Sequence, residues 1–140
     1  MMEIRPFEPE DEDVVVALWE ATGLTRPWND PKADIARKLA RQPDLFLVGV
    51  EDGEVVATAM CGYDGHRGNI NYLAVDPARQ GRGLGRQLLT HMESLLLQTG
   101  CPKINLQVRL DNDRAVAFYQ RCGYDVFHVA DLGKRLIPDQ

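Results

Sequence analysis

The period of the apolar positions changes several times along the chain, and each change predicts an element. Over residues 11–22, Val14, Val15, Leu18 and Trp19 recur at helical spacing, with acidic residues ahead of them and Gly23 behind. Asn29-Asp30-Pro31 supplies a cap followed by proline at a first helical position, so a second helix is expected over residues 31–41. Residues 45–50 and 55–61 read as strands joined at Asp52-Gly53, a tight-hairpin dipeptide. Residues 3–7 form a short edge strand, because Pro6 removes one ladder donor and an edge tolerates that loss. A turn over residues 63–68 leads into a further strand, residues 70–75.

The helical period then returns strongly. Over residues 83–99, Leu84, Leu88, Leu89, Met92, Leu95 and Leu96 make one buried stripe that stops at Gly100. Ile104, Leu106 and Val108 alternate as a strand, and strand, helix and strand together predict a right-handed parallel crossover. Asn112 or Asp111 caps a last helix running to about residue 121 and ended by Gly123. Residues 124–129 and 132–137 read as a closing pair of strands, through which two chains could pair. Nothing resembles a linker, a repeat or a low-complexity stretch. The expectation is a single domain over residues 1–140, of mixed α/β class: an antiparallel meander, then a parallel β-α-β crossover.

Composition narrows the function classes. The 140 residues suit one core, and 44% hydrophobic residues are ordinary for a globular protein. No apolar run reaches the length that spans a bilayer, and residues 1–5 do not read as a secretory leader. Cys61, Cys101 and Cys122 are odd in number and follow no Cys-x-x-Cys or zinc spacing. The reading is reduced thiols, a cytoplasmic protein and no metal. The net charge of −5 argues against nucleic acid and weakly favours an amine as partner. Locally the sign reverses: Arg79, Arg82 and Arg86 cluster around a glycine run, where an anionic group would dock.

That run, Gln80-Gly81-Arg82-Gly83-Leu84-Gly85, follows a strand and opens a helix. First-turn amides without helical acceptors, together with the helix dipole, favour an anion there, and glycine lets the backbone approach it. A phosphate-bearing cofactor is therefore expected. The dinucleotide spacing fails because Arg86 stands three residues beyond Gly83, and the P-loop spacing fails because no Gly-Lys-Ser/Thr occurs. What stands here is Gln80-x-x-Gly83-x-Gly85 after Leu73-Ala74-Val75-Asp76-Pro77, with Asn112-x-x-Ala115-x-x-Phe118-Tyr119 and Gly123-Tyr124 further on. In these two blocks the chain resembles the GNAT superfamily of N-acetyltransferases, closely over residues 72–124 and as an order of elements over residues 4–136.

The resemblance implies an acetyl-CoA-dependent N-acetyltransferase of GNAT-like acyl-CoA N-acyltransferase fold, with a primary amine of a small molecule or protein as acceptor. It implies that acetyl-CoA lies against Leu73, Ala74 and Val75, against Gln80, Gly81, Arg82, Gly83, Leu84, Gly85 and Arg86, and against Asn112 and Tyr119. Asn112 would bond the pantetheine arm while also capping its helix. Tyr119 would give a proton to the leaving thiolate; its bland alternative is a core aromatic. A backbone N–H among residues 73–75 would hold the thioester oxygen. Some relatives carry a glutamate base where Gln107 stands, and glutamine cannot accept a proton, so Asp64, His66, Asp76 or a water are the candidates for that role. Because of Gln107, a non-catalytic acyl-CoA-binding module stays open as an alternative. No cysteine lies in either block, which disfavours an acyl-enzyme. The acceptor pocket is expected at residues 24–30 and at the turn of residues 63–67. Trp28 with Asp30 would either receive a cation or serve as a core cover and a helix cap.

Overall fold

At Asp52 and Gly53 the backbone takes φ of 49° and 80°, the positive pair that a two-residue hairpin turn requires. This turn joins β2 (Phe46–Glu51) to β3 (Glu54–Tyr63) in the computed structural model, which describes residues 2–139. Around the hairpin a five-stranded sheet assembles in the order β1-β2-β3-β4-β5. β1 (Glu3–Pro6) is an antiparallel edge strand, where Pro6 costs no ladder bond to a further neighbour. β4 (Gly68–Val75) pairs antiparallel with β3, and β5 (Ile104–Asn105) pairs parallel with β4. The chain clusters into two compact units: residues 2–105 with Asp139, and residues 106–138.

In the first unit, α1 (Glu12–Ala21) and α2 (Pro31–Arg41) supply Val15, Leu18, Trp19 and Ile35 to a core shared with Phe46, Val48, Met60 and Ala74. Asp30 caps α2, its carboxylate accepting from the amides of Lys32 at 3.0 Å and Ala33 at 3.3 Å. α3 (Leu84–Gln98) buries Leu84, Leu88, Leu89, Met92 and Leu96, each worth about 1.5–3 kcal/mol of apolar burial. Leu95 of the same stripe is only half-buried. β1 is tied to the start of α1 by Arg5, which donates to both oxygens of the buried Asp11 carboxylate at 2.8 and 3.0 Å.

The second unit carries α4 (Asp113–Arg121). Asn112 caps it by accepting from the Ala115 amide at 3.1 Å, and Gly123 ends it at a φ of 93°.

Two expectations fail. The strand foreseen through Leu106 and Val108 shrinks to Ile104–Asn105. Its ladder with β4 stops at Asn69, just ahead of a bulge in β4 that takes the strand out of register. The closing strands over residues 124–129 and 132–137 do not form. Val126, Leu132 and Leu136 are exposed on one parity, and Phe127, Val129 and Ile137 on the other. No buried face fixes a register there, and an isolated strand pair is marginal in water.

Candidate acetyl-transfer site

β4 is irregular where it matters. Thr58 faces Ala74 and Met60 faces Asn71, so β4 spends one more residue than β3 between these pairs. Tyr72 and Leu73 take no partner in the ladder, and Tyr72 adopts a φ of 56°. A non-glycine residue in that region costs roughly 1–2 kcal/mol and persists only where its surroundings hold it. Here the Tyr72 ring stacks on Trp19 with centroids 3.9 Å apart, and its hydroxyl donates to Asp34 at 2.6 Å. The bulge releases backbone groups of Leu73, next to Ala74 and Val75, from sheet pairing.

The glycine run follows directly. Gly81 and Gly83 adopt φ of 82° and 79°, and Gly83 is the N-cap of α3. A Cβ built on either would meet nothing within 4 Å, so backbone conformation alone demands these glycines and the space before them is open. The first helical bond of α3 runs from Gln87 N–H to Gly83 at 3.0 Å, which leaves the amides of Leu84, Gly85 and Arg86 without helical acceptors. Gln80 turns back, its side-chain amide donating to the Val75 carbonyl at 3.1 Å. Such a cradle fits a phosphate group.

Two of the arginines around the run carry carboxylate partners. Arg82 donates to both oxygens of Glu51, at 3.2 and 2.9 Å, and Arg79 bonds Asp76 at 2.5 Å and Glu54 at 3.0 Å. These ion pairs pin the loop to the end of the β2–β3 hairpin, with Arg79 and Arg82 each paired to carboxylates.

On the α1–α2 side of β4 lies a cavity of about 580 Å³. Leu24 and Asn29 reach it from the loop between α1 and α2, and the turn of residues 63–67 does not line it. Asp30 is the cap of α2, as one reading of that pair has it, but Trp28 is exposed and does not cover the core. Asp34, Arg37, Lys38 and Arg41 line the cavity from one face of α2 and were missed from the sequence, although their i, i+3, i+4, i+7 spacing was a usable signal. The Lys38 ammonium donates to the Cys61 carbonyl and to Gln42 at 3.2 Å, and burial lowers its pKa.

The base candidates resolve in part. Asp64 accepts from the amides of His66 and Arg67, both at 2.8 Å, which shapes its turn and holds its carboxyl below the usual range. Asp76 caps the turn after β4 by accepting from the Ala78 amide at 3.0 Å, besides its bond to Arg79. Both carboxylates are thus structural, and His66 is exposed.

In the second unit the Tyr119 ring lies edge-on to Phe118 and Tyr124, at 5.1 and 5.7 Å. Burial pushes its phenol up to about 12, so the hydroxyl keeps its proton throughout the neutral range. Tyr119 stands seven positions beyond Asn112, the N-cap of α4, about 10 Å along the axis and two turns on. Gln107 is exposed and donates to Asp131 at 3.1 Å.

Comparison with known proteins agrees with this geometry. The profile of the acetyltransferase (GNAT) family matches residues 12–124. The chain is 50% identical to an acetyltransferase of Pectobacterium atrosepticum over 139 residues, which cover 99% of each. Among solved structures it is similar to Ard1 from Thermoplasma volcanium, with a TM-score of 0.81 and 29% identity over 90% of this chain and 84% of that one. Glucosamine-6-phosphate N-acetyltransferase from Arabidopsis thaliana shares the fold, with a TM-score of 0.69 and 20% identity over 98% and 99% of the two chains. Glycine cradle, bulged β4, parallel crossover and family match converge: the chain belongs to the GNAT family and is an acetyltransferase.

Proposed function

We propose that this acetyltransferase moves the acetyl group of acetyl-CoA directly onto a primary amine. The observation that carries the reading is the glycine cradle, with open space before Gly81 and Gly83, placed one short turn beyond the bulge in β4. The amides from Gln80 to Arg86 would hold the pyrophosphate. A released amide among Leu73, Ala74 and Val75 would donate to the thioester oxygen as negative charge develops on it. Asn112 would bond the pantetheine arm and Tyr119 would act as general acid, roles that rest on the resemblance of their block to the family.

In the transfer, the amine nitrogen forms a bond to the acetyl carbon, the carbon–sulfur bond breaks, and its electron pair leaves on sulfur. Tyr119 gives that sulfur its proton. The amine's surplus proton goes to water, because Asp64 and Asp76 are committed to turns. Calorimetric titration with acetyl-CoA, using NAD and ATP as controls, followed by CoA release with a panel of amines, tests the reading. Saturable binding of acetyl-CoA alone with amine-dependent release supports it. Binding without release for every amine would favour the non-catalytic module, and the absence of binding would remove the cradle from the site.

A further inference from the structure

Tyr72 holds a φ of 56°, a conformation that a tyrosine keeps only under constraint. It stands in the bulge of β4 directly ahead of Leu73, and neither residue takes a partner in the ladder with β3. The peptide plane between them is rigid, so the backbone angles of Tyr72 set the direction of the Leu73 N–H. Whatever fixes Tyr72 therefore aims that amide.

Two contacts fix it, and they act differently. The ring stacks on Trp19 with centroids 3.9 Å apart. Trp19 is fully buried, and its indole N–H has no hydrogen-bond partner among the described residues, so this contact is packing alone. Stacking sets the plane of the Tyr72 ring and tolerates offsets within it. The second contact is directional. The Tyr72 hydroxyl donates to Oδ2 of Asp34 at 2.6 Å, a charge-assisted bond that ties β4 to α2. Oδ1 of Asp34 accepts from Arg37 at 3.1 Å, and the Arg37 guanidinium is held in turn by the buried Asp139 carboxylate. Asp34 also lies in the first turn of α2, where the helix dipole favours a carboxylate. Both of its oxygens are committed, which makes it a fixed anchor for the tyrosine.

We propose that Asp34 and the Tyr72 hydroxyl are positioning residues for acetyl transfer: their bond locks the bulge and keeps the Leu73 amide aimed at the thioester oxygen. This rests on the transferase reading, in which an amide released at the bulge meets the negative charge growing on that oxygen. The charge grows only on the way to the transition state. A misaimed amide therefore lowers kcat and leaves the binding of acetyl-CoA, through the separate glycine cradle, unchanged.

Tyr72→Phe keeps the ring and its stack and removes the hydroxyl, while Asp34→Ala removes the acceptor and leaves Arg37 on Asp139. The two single variants and the double variant are compared with the wild-type chain. Calorimetry gives the Kd for acetyl-CoA, and proton–nitrogen correlation spectra of the ligand-free protein give the Leu73 amide resonance. CoA release gives kcat at saturating amine, since both residues also line the cavity. In each single variant kcat should fall about 10- to 100-fold with Kd within about twofold of wild type. The double variant should fall below Tyr72→Phe by no more than about threefold, because the two groups act through one bond. The Leu73 resonance should move in all three. An unchanged kcat, a Kd that weakens in step with kcat, losses that multiply in the double variant, or an unmoved Leu73 resonance would each overturn the role; beside a wild-type chain that turns over, they spare the transferase reading. A wild-type chain that binds acetyl-CoA and releases no CoA with any amine would overturn that reading and this role together.

Discussion

Gly83→Ala separates the glycine cradle's ligand role from its structural one. Gly83 has a φ of 79° and open space where a Cβ would stand, so the substitution costs backbone strain alone, roughly 1–2 kcal/mol. For 140 residues, at about 2.1 cal/mol/K of unfolding entropy each, that is a fall in Tm of roughly 3–7 °C. Gly100 makes a matched control: its φ is 89°, a Cβ there also meets nothing within 4 Å, and it lies beyond the far end of α3. Gly100→Ala should show a similar fall in Tm with acetyl-CoA affinity unchanged. In Gly83→Ala the methyl group occupies the approach to the α3 amides and displaces one or two charge-assisted bonds to phosphate. Affinity should then drop about 10- to 100-fold beyond the control. Thermal melts and calorimetry on both variants provide the comparison. Equal affinities in the two variants would refute the cradle as the phosphate site.

Other outcomes follow from single residues. Tyr119→Phe should lower kcat about 10²- to 10⁴-fold with the Kd for acetyl-CoA unchanged, as steady-state kinetics would show; unchanged kcat would remove Tyr119 as the acid. Leu88, fully buried on α3, should cost about 2–5 kcal/mol on change to alanine, read as a fall in urea midpoint and Tm. Arg5 holds the Asp11 carboxyl below its usual range, so this contribution is present above that range and fades as pH falls through the lowered value. Asp11→Asn should accordingly flatten the acid limb of urea midpoint against pH. Burial pushes the Cys61 thiol up to about 11, so stability should decline as pH climbs from the ordinary thiol range toward that value. At pH 8 a thiol reagent should reach the half-buried Cys122 well before Cys61, and equal labelling rates in the folded protein would contradict the burial.

Elements whose signal is local were legible in the sequence. Pro31–Arg41 carries its own start signal in Asp30-Pro31, the hairpin carries Asp52-Gly53, and α3 carries a leucine stripe closed by Gly100. The bulge was not legible. Apolar residues continue through it at even positions, yet a Cβ on Gly68 would meet Leu96 and Cys101, whereas Tyr72 and Ala74 pack with the Trp19 and Phe46 core. The strand changes face with no glycine to mark the place, and a tyrosine held by Trp19 and Asp34 takes the strained conformation. The ion pairs of Arg79 and Arg82 were hidden for a related reason, since Glu51 and Glu54 lie a strand pair earlier in sequence. The closing strands were over-read: alternation alone cannot supply a ladder partner.

The most direct test follows the acetyl group. Purified protein is mixed with acetyl-CoA and a panel of amines, and both small molecules and intact protein are examined by mass spectrometry within the first turnover. Direct transfer predicts an N-acetylated amine formed in step with free CoA and no acetylated protein on the way. CoA release without an N-acetylated product, or acetyl groups accumulating on the protein before the product appears, would contradict it.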